Sequence, residues 1–384
     1  MSDDQITTEK EGEHSHMARQ ATLPVEPSST NPSLAWDIGT AYDLFFSLYV
    51  LHMPEKFGLR ASWAAGVRSR MSNDEREILL KAQNAFYVPL CWIYTLPAPK
   101  DAESALWALR QMAPEDRLPA LTFCPETSDA YKEIFTGVTA RGAWDENDLE
   151  ALKDHYREYK KDPPRAKELK GRLEAWTNPA EFGERYLSAL QSYHRAFFAE
   201  EQRRISDDLR IGLQRAQGLA ENDSVSEMIE ELSRGIHIDE YFDVSRLILA
   251  PSYWITPLIY FSKVEEDSML IVFGARPDDA SLVPGEQVPD PILLGLKALS
   301  DPTRLRILRY LTHENLTPAE LARRLRLRAP TVTHHLRSLR LAGLVHVTVG
   351  TKQESRYTAR METFDELCTQ IKGFMASELE GSEA

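Results

Sequence analysis

Apolar residues recur every three or four positions through the first two thirds of the chain. Tyr42, Phe45, Phe46, Tyr49 and Val50 keep the spacing of a buried helix face. The pattern stays mostly helical from Leu34 to about Pro163, where Asp162-Pro-Pro164 interrupts it. A second helical block opens at Asn178-Pro-Ala-Glu181, where Asn caps, Pro fits the first turn and Glu takes the third helical position. Phe182, Tyr186, Leu190, Tyr193 and Phe197 follow on one face, predicting a long helix that reaches the Gly218 region. After Gly235 the pattern shortens. Val244–Ala250, Trp254–Phe261 and Ser268–Phe273 are β-branched or aromatic runs parted by Pro251, Ser252 and Glu265-Glu-Asp267. They predict a few antiparallel strands, with Pro257 confining its run to an edge or a bulge.

From residue 291 the helix signals become explicit. Asp301-Pro-Thr-Arg304 and Thr317-Pro-Ala-Glu320 each place a capping side chain before a first-turn proline, and the second adds the glutamate of a capping box. Leu305, Leu308 and Leu311 form the apolar stripe of the first helix; Leu321, Ala322 and Leu325 form that of the second. A third helix begins near Ala329-Pro330, with Val332, Leu336 and Leu339 inward and Thr331, Thr333, His334, Arg337, Ser338 and Arg340 outward. Gly343 ends it. Val345, Val347 and Val349 alternate with polar residues as one strand, Gly350–Glu354 turns the chain, and Ser355–Ala359 returns it. Three short helices followed by a hairpin predict a winged helix-turn-helix.

Composition and charge sharpen this division. Residues 1–33 are polar and read as a disordered tail, in which His14 and His16 are incidental. Residues 276–290 are rich in proline and acid and read as a linker between a helical and α+β domain at 34–275 and the winged helix at 291–360; 361–384 is a C-terminal helix and tail. The predicted fold class is mainly α with a small β component. Residues 291–360 carry thirteen Lys or Arg against four Asp or Glu, a balance of +9 in a chain of net charge −14. A basic module inside an acidic chain suits a polyanion. Apolar runs fall well short of the ~20 residues of a membrane helix, and no secretory leader is legible. Cys91, Cys124 and Cys368 form no C-x-x-C pair, which predicts neither a disulfide framework nor a zinc site and fits a reducing cytoplasm. No nucleotide, hydrolase or zincin motif appears, so no enzyme, metal or cofactor is predicted. His237-Ile-Asp-Glu240 with Asp243 reads as a solvated helix start, and Cys124 as an inert thiol.

Leu296–Leu308, Glu320-Leu-Ala322, Thr331-Val-Thr-His-His-Leu336 and Leu341-Ala-Gly-Leu-Val345 together resemble the ArsR-type (arsenical-resistance repressor) winged-helix regulators of bacteria. The stretches Ser47–His52, Trp63–Arg68 and Leu247–Ser252 are similar to the large N-terminal domain, without settled function, of some regulators in that superfamily. The resemblance implies a dimer that binds a partly palindromic operator and usually represses. It departs from the metal sensors of that family: Thr317 and Ala319 stand where they carry a Cys-x-Cys pair, and the last helix has no histidine. Arg328 and Ala329 replace the Ser-Gln pair that often opens the recognition helix.

The expected function is therefore a cytoplasmic, homodimeric transcription regulator of double-stranded DNA, with an unidentified small-molecule effector or partner sensed by 34–275. Arg328, Pro330, Thr331, Thr333, His334, His335, Arg337 and Ser338, with Lys352 and Arg356 on the wing, are the candidate DNA contacts. A stripe of Met361, Phe364, Leu367, Cys368, Ile371, Phe374, Met375 and Leu379 must be buried somewhere. The resemblance implies burial against a second copy, helped by Leu293 and Leu296; folding back on the N-terminal domain is the alternative. An enzyme, or a protein-interaction adaptor, carrying a winged-helix appendage remains open.

Overall fold

The computed structural model describes residues 32–57, 59–159, 164–238, 244–283, 288–349 and 355–376. All but the last two residues of the 1–33 tail, Asp162-Pro163, three of the four acids and bases of the His237–Asp243 cluster, the wing turn with Lys352, and Leu379 lie outside them. The described fold is mainly helical, with seven strands: β1 (Ser33–Trp36), β2 (Ile236–Ile238), β3 (Arg246–Ser252), β4 (Ile259–Glu265), β5 (Ser268–Gly274), β6 (Val345–Val349) and β7 (Ser355–Ala359). The chain forms two compact units. The larger takes the described residues up to Arg215 and those from Val244 to Ala275; the smaller takes 216–238 and the residues from Arg276 onward.

In the larger unit helices surround a sheet of order β1-β3-β5-β4. The sheet is mixed rather than antiparallel: β1 and β5 both run parallel to β3, and only β4 opposes its neighbour. Residues 254–257 of the predicted second strand instead form a turn, with Pro257 in a cis peptide ahead of edge strand β4. The helix Thr40–His52 is buried on every side from Thr40 to Leu51, not on one stripe. Two of its buried polar residues bond to groups elsewhere in the unit. Asp43 Oδ1 accepts from the Ser252 hydroxyl at 2.7 Å and from Trp254 N–H at 3.0 Å. Ser47 accepts from the Tyr193 hydroxyl at 2.9 Å.

Asn178 caps the helix Pro179–Tyr193 by accepting from Glu181 N–H, and its aromatic stripe is buried through Phe197. A π-turn at His194–Phe198 then leads into the helix Ala199–Asn222. Cys91 and Cys124 are disulfide-bonded, their Cα atoms 5.6 Å apart. This overturns the expectation of unpaired cysteines: the tertiary fold brings together the helix Leu90–Thr95 and the segment after the helix Pro114–Thr122.

The smaller unit is the winged helix with additions at both ends. Its helices run Asp290–Leu299, Pro302–Leu311, Pro318–Leu325 and Ala329–Leu341, then β6 and β7 pair antiparallel, and Glu362–Ala376 closes the chain. Ile307, Leu308, Leu311, Leu321, Leu325, Val332, Leu336, Leu339 and Val345 make one core. Leu305 is not part of it. It stands 48% exposed, because the stripe of its helix runs through Ile307, Leu308 and Leu311 instead. Gly343, at φ 68°, supplies the left-handed residue that ends the third helix.

A further addition comes from far upstream. The helix Val225–Ser233, capped by Ser224 and Glu227, delivers β2 alongside β6 as a parallel third strand, with Ile236 opposite Val347. Residues 216–238 thus belong with the winged helix, although their sequence reads as a continuation of the N-terminal block. A three-residue strand whose partner lies more than a hundred positions away leaves no local periodicity to detect.

Candidate nucleic-acid interface

The helix-turn-helix is held by reciprocal caps. Thr317 N–H donates to Glu320 Oε2 at 2.8 Å, and Glu320 N–H donates back to the Thr317 hydroxyl at 3.2 Å. The Thr317 main-chain N–H, and then its hydroxyl, hold the Glu320 carboxyl below the ordinary range. Asp301 accepts from Thr303 and Arg304 N–H groups, while the Arg304 side chain turns back to the carbonyls of Ala298 and Lys297. One short motif therefore starts one helix and ends the one before it.

The left-handed Arg326, φ 57°, turns the chain between the second helix and the recognition helix. Arg328 takes the N-cap position of the recognition helix with no side-chain cap, and Pro330 follows in the first turn. The first-turn N–H groups are thus left for solvent or for an anion, which a helix N-terminus favours. Arg328, Pro330 and His334 are exposed; Thr331, Thr333, Arg337 and Ser338 are half-buried. The hydroxyl of Thr333 donates to Ala329 O at 3.0 Å and that of Ser338 to His334 O at 3.3 Å, so each keeps its lone pairs for an incoming donor.

Two outward assignments change. The His335 side chain is only 13% exposed and its Nδ1 lies 3.9 Å from Asp301 Oδ1. Burial holds its imidazole below the usual histidine range, and it faces the Asp301 cap rather than the surface that carries His334. Arg340 is buried, and burial pushes its guanidinium down to about 10. It donates to the carbonyls of Arg234, at 3.2 Å, and Ser233, so it braces the upstream helix and is not available to DNA.

On the wing, Arg356 donates to Asn315 O at 3.1 Å and lies 3.7 Å from Glu320, with its side chain still 43% exposed. Arg324 is tied by both terminal nitrogens to Glu314 at 2.6 Å. Arg323 and Arg326, beside the turn into the recognition helix, are exposed and have no carboxylate partner among the described residues. They were not among the predicted contacts. The signal was present in the repeated arginines of Leu321-Ala-Arg-Arg-Leu-Arg-Leu-Arg328.

The candidate dimer residues divide in three. Leu367 is buried against Gly295, where an added Cβ would sit 2.6 Å from a Leu367 methyl, and Phe364 packs on the winged core. Leu296 and Met375 remain exposed, at 49% and 79%. Leu293, Ile371 and Phe374 are half-buried. The C-terminal helix is thus partly covered by the helix Asp290–Leu299 of its own unit.

A family model for a helix-turn-helix domain matches residues 299–348. No curated protein matches the chain. The matched segment spans the caps, the turn, the recognition helix and the first wing strand, the parts of a DNA-binding domain of transcription regulators. No helix among the described residues is long and apolar enough to cross a membrane.

Proposed function

We propose that this chain is a cytoplasmic transcription regulator of the ArsR-type winged-helix class that binds a partly palindromic operator as a homodimer and represses from it. In this reading it is a regulator and not an enzyme. The observation that carries it is the recognition helix: Arg328, Thr331, Thr333, His334, Arg337 and Ser338 lie outside the core from the N-cap through the first ten of the helix's thirteen residues, and the N-terminal part of such a helix meets base edges in the major groove. Arg323 and Arg326 flank that helix as phosphate contacts, and Arg356 of the wing adds a third. Dimerisation rests on the apolar surface that the C-terminal helix and Leu296 leave uncovered.

The test is full-length protein titrated with duplex DNA at several salt concentrations. With about three phosphate contacts per protomer and so about six per dimer, the logarithm of affinity falls with that of salt at a slope of about −5. A slope near zero rejects the reading. Enrichment of an inverted repeat among selected sequences, with transcription from it rising when the protein is absent, supports the dimeric repressor.

A further inference from the structure

We propose that a cavity in the larger unit binds a small organic carboxylate with an apolar body. The cavity, of about 210 Å³, lies among the end of the helix Thr40–His52, the helix Ala61–Arg68 and the helix Asn73–Ala85. Leu51, Met71 and Leu79 give it buried apolar walls, and Leu80, 52% exposed, lines it as well. Its polar groups are His52, Arg68 and Arg76.

Those three groups describe a ligand by their chemistry. Arg68 donates to the carbonyl of Leu51, and Arg76 donates to the side-chain oxygen of Asn73. Neither guanidinium has a carboxylate partner among the described residues. Two cations around one small apolar space repel each other, and the repulsion is relieved by an anion placed between them. Burial, and then the charge of Arg76, hold the Arg68 guanidinium below its ordinary range. The planar guanidinium matches a carboxylate through paired hydrogen bonds.

His52 lines the cavity without adding charge, and it offers the ligand an acceptor rather than a donor for the carboxylate. Its Nδ1 lies 2.8 Å from Leu48 O and must donate there. Burial pushes the imidazole down to about 4, so it is neutral near pH 7 and its Nε2 is an acceptor. The volume lies below the roughly 300–1,000 Å³ of sites for drug-sized ligands. The fit is a short-chain or single-ring acid. The inference concerns the larger unit alone and does not depend on how the winged helix reads DNA.

The test uses full-length protein without DNA, titrated with hexanoate and with benzoate, while calorimetry and the methyl resonance of Met71, assigned through Met71→Leu, are followed. At least one acid should bind saturably and move the Met71 methyl, and 1-hexanol should do neither. Arg76→Gln, which removes only the contact to Asn73, should weaken binding at least tenfold with an unchanged circular-dichroism spectrum. Absence of saturable binding, an unmoved Met71 methyl, or wild-type affinity in the variant overturns the proposal. So does inorganic phosphate that binds as tightly as the acids, since it would make this an inorganic-anion site.

Discussion

The Arg340 guanidinium donates to the main-chain carbonyl of Arg234, 3.2 Å away, across 106 positions of sequence. Arg340 belongs to the recognition helix, and Arg234 ends the helix that leads into β2. A second bond to Ser233 O makes this a cation capping a helix C-terminus, where the helix dipole favours positive charge. The recognition helix is thus clamped to a segment outside the helix-turn-helix itself. Arg340→Ala leaves two buried carbonyls unpaired and should cost about 3 kcal/mol of stability, at 1–3 kcal/mol for each orphaned group. Arg340→Met fills the space and should cost less. Thermal unfolding of the two variants checks the order; equal losses would show that the hydrogen bonds matter and the packing does not.

Asp43 gives the larger unit a stability that depends on pH. Burial, opposed by the bonds from Ser252 and Trp254, raises its carboxyl to about 7, and its Oδ2 is buried without a hydrogen-bond partner. Between about pH 4 and pH 7 the folded chain keeps a proton that the unfolded chain has released. The stabilising contribution is therefore complete below about pH 4 and is lost as pH rises through 7, with a ceiling of about 4 kcal/mol. Asp43→Asn keeps the neutral form at every pH. Denaturant midpoints should show the variant gaining on the wild type from pH 5 to pH 8; parallel curves would mean that Asp43 titrates normally.

What could be read along the chain was whatever local geometry decides. The caps at Asp301, Thr317 and Asn178 and the helix end at Gly343 each need only a few consecutive residues, and all formed as their spacing predicts. Non-local partners left no such mark. β1 has four residues and β2 three, and each pairs in parallel with a distant strand. Arg340 follows Leu336 by four positions and so falls beside the core stripe, but its charge argued for the outer face. Only the carbonyls of Ser233 and Arg234, supplied by tertiary structure, explain its burial. Cys91 and Cys124 met for the same kind of reason.

The recognition surface separates base contacts from phosphate contacts. His334 is exposed on the recognition helix and Arg337 lies one turn on, whereas Arg326 occupies the turn before it. His334→Ala and Arg337→Ala should each reduce the preference for operator over random DNA by about 1–3 kcal/mol. Arg326→Ala should weaken all duplexes alike and make the dimer's salt slope shallower by about two, one for each protomer. His335→Ala, a change behind the helix, should lower stability more than specificity. Competition binding at two salt concentrations separates these outcomes, and identical behaviour of His334→Ala and Arg326→Ala would remove the distinction.

The C-terminal helix allows an interface to be tested without unfolding the protomer. Leu367 is seated against Gly295 and Phe364 on the winged core, so a charge at either would disrupt the unit itself. Leu296 and Met375 are exposed on the two helices that meet there, and a charge at either costs the isolated unit little. Leu296→Asp with Met375→Asp should therefore keep the helical spectrum and thermal midpoint of a folded protomer, yet sediment as a monomer. Losing the dimer also removes the two-fold spacing of about 34 Å that lets two recognition helices reach successive major grooves. Operator affinity should then fall much further than affinity for a single half-site. Gly295→Ala is the complementary probe. Its methyl would meet Leu367 at 2.6 Å and push the two helices apart, so it should lower stability before it changes the association state. A Leu296→Asp/Met375→Asp variant that still sediments as a dimer would place the interface on another surface.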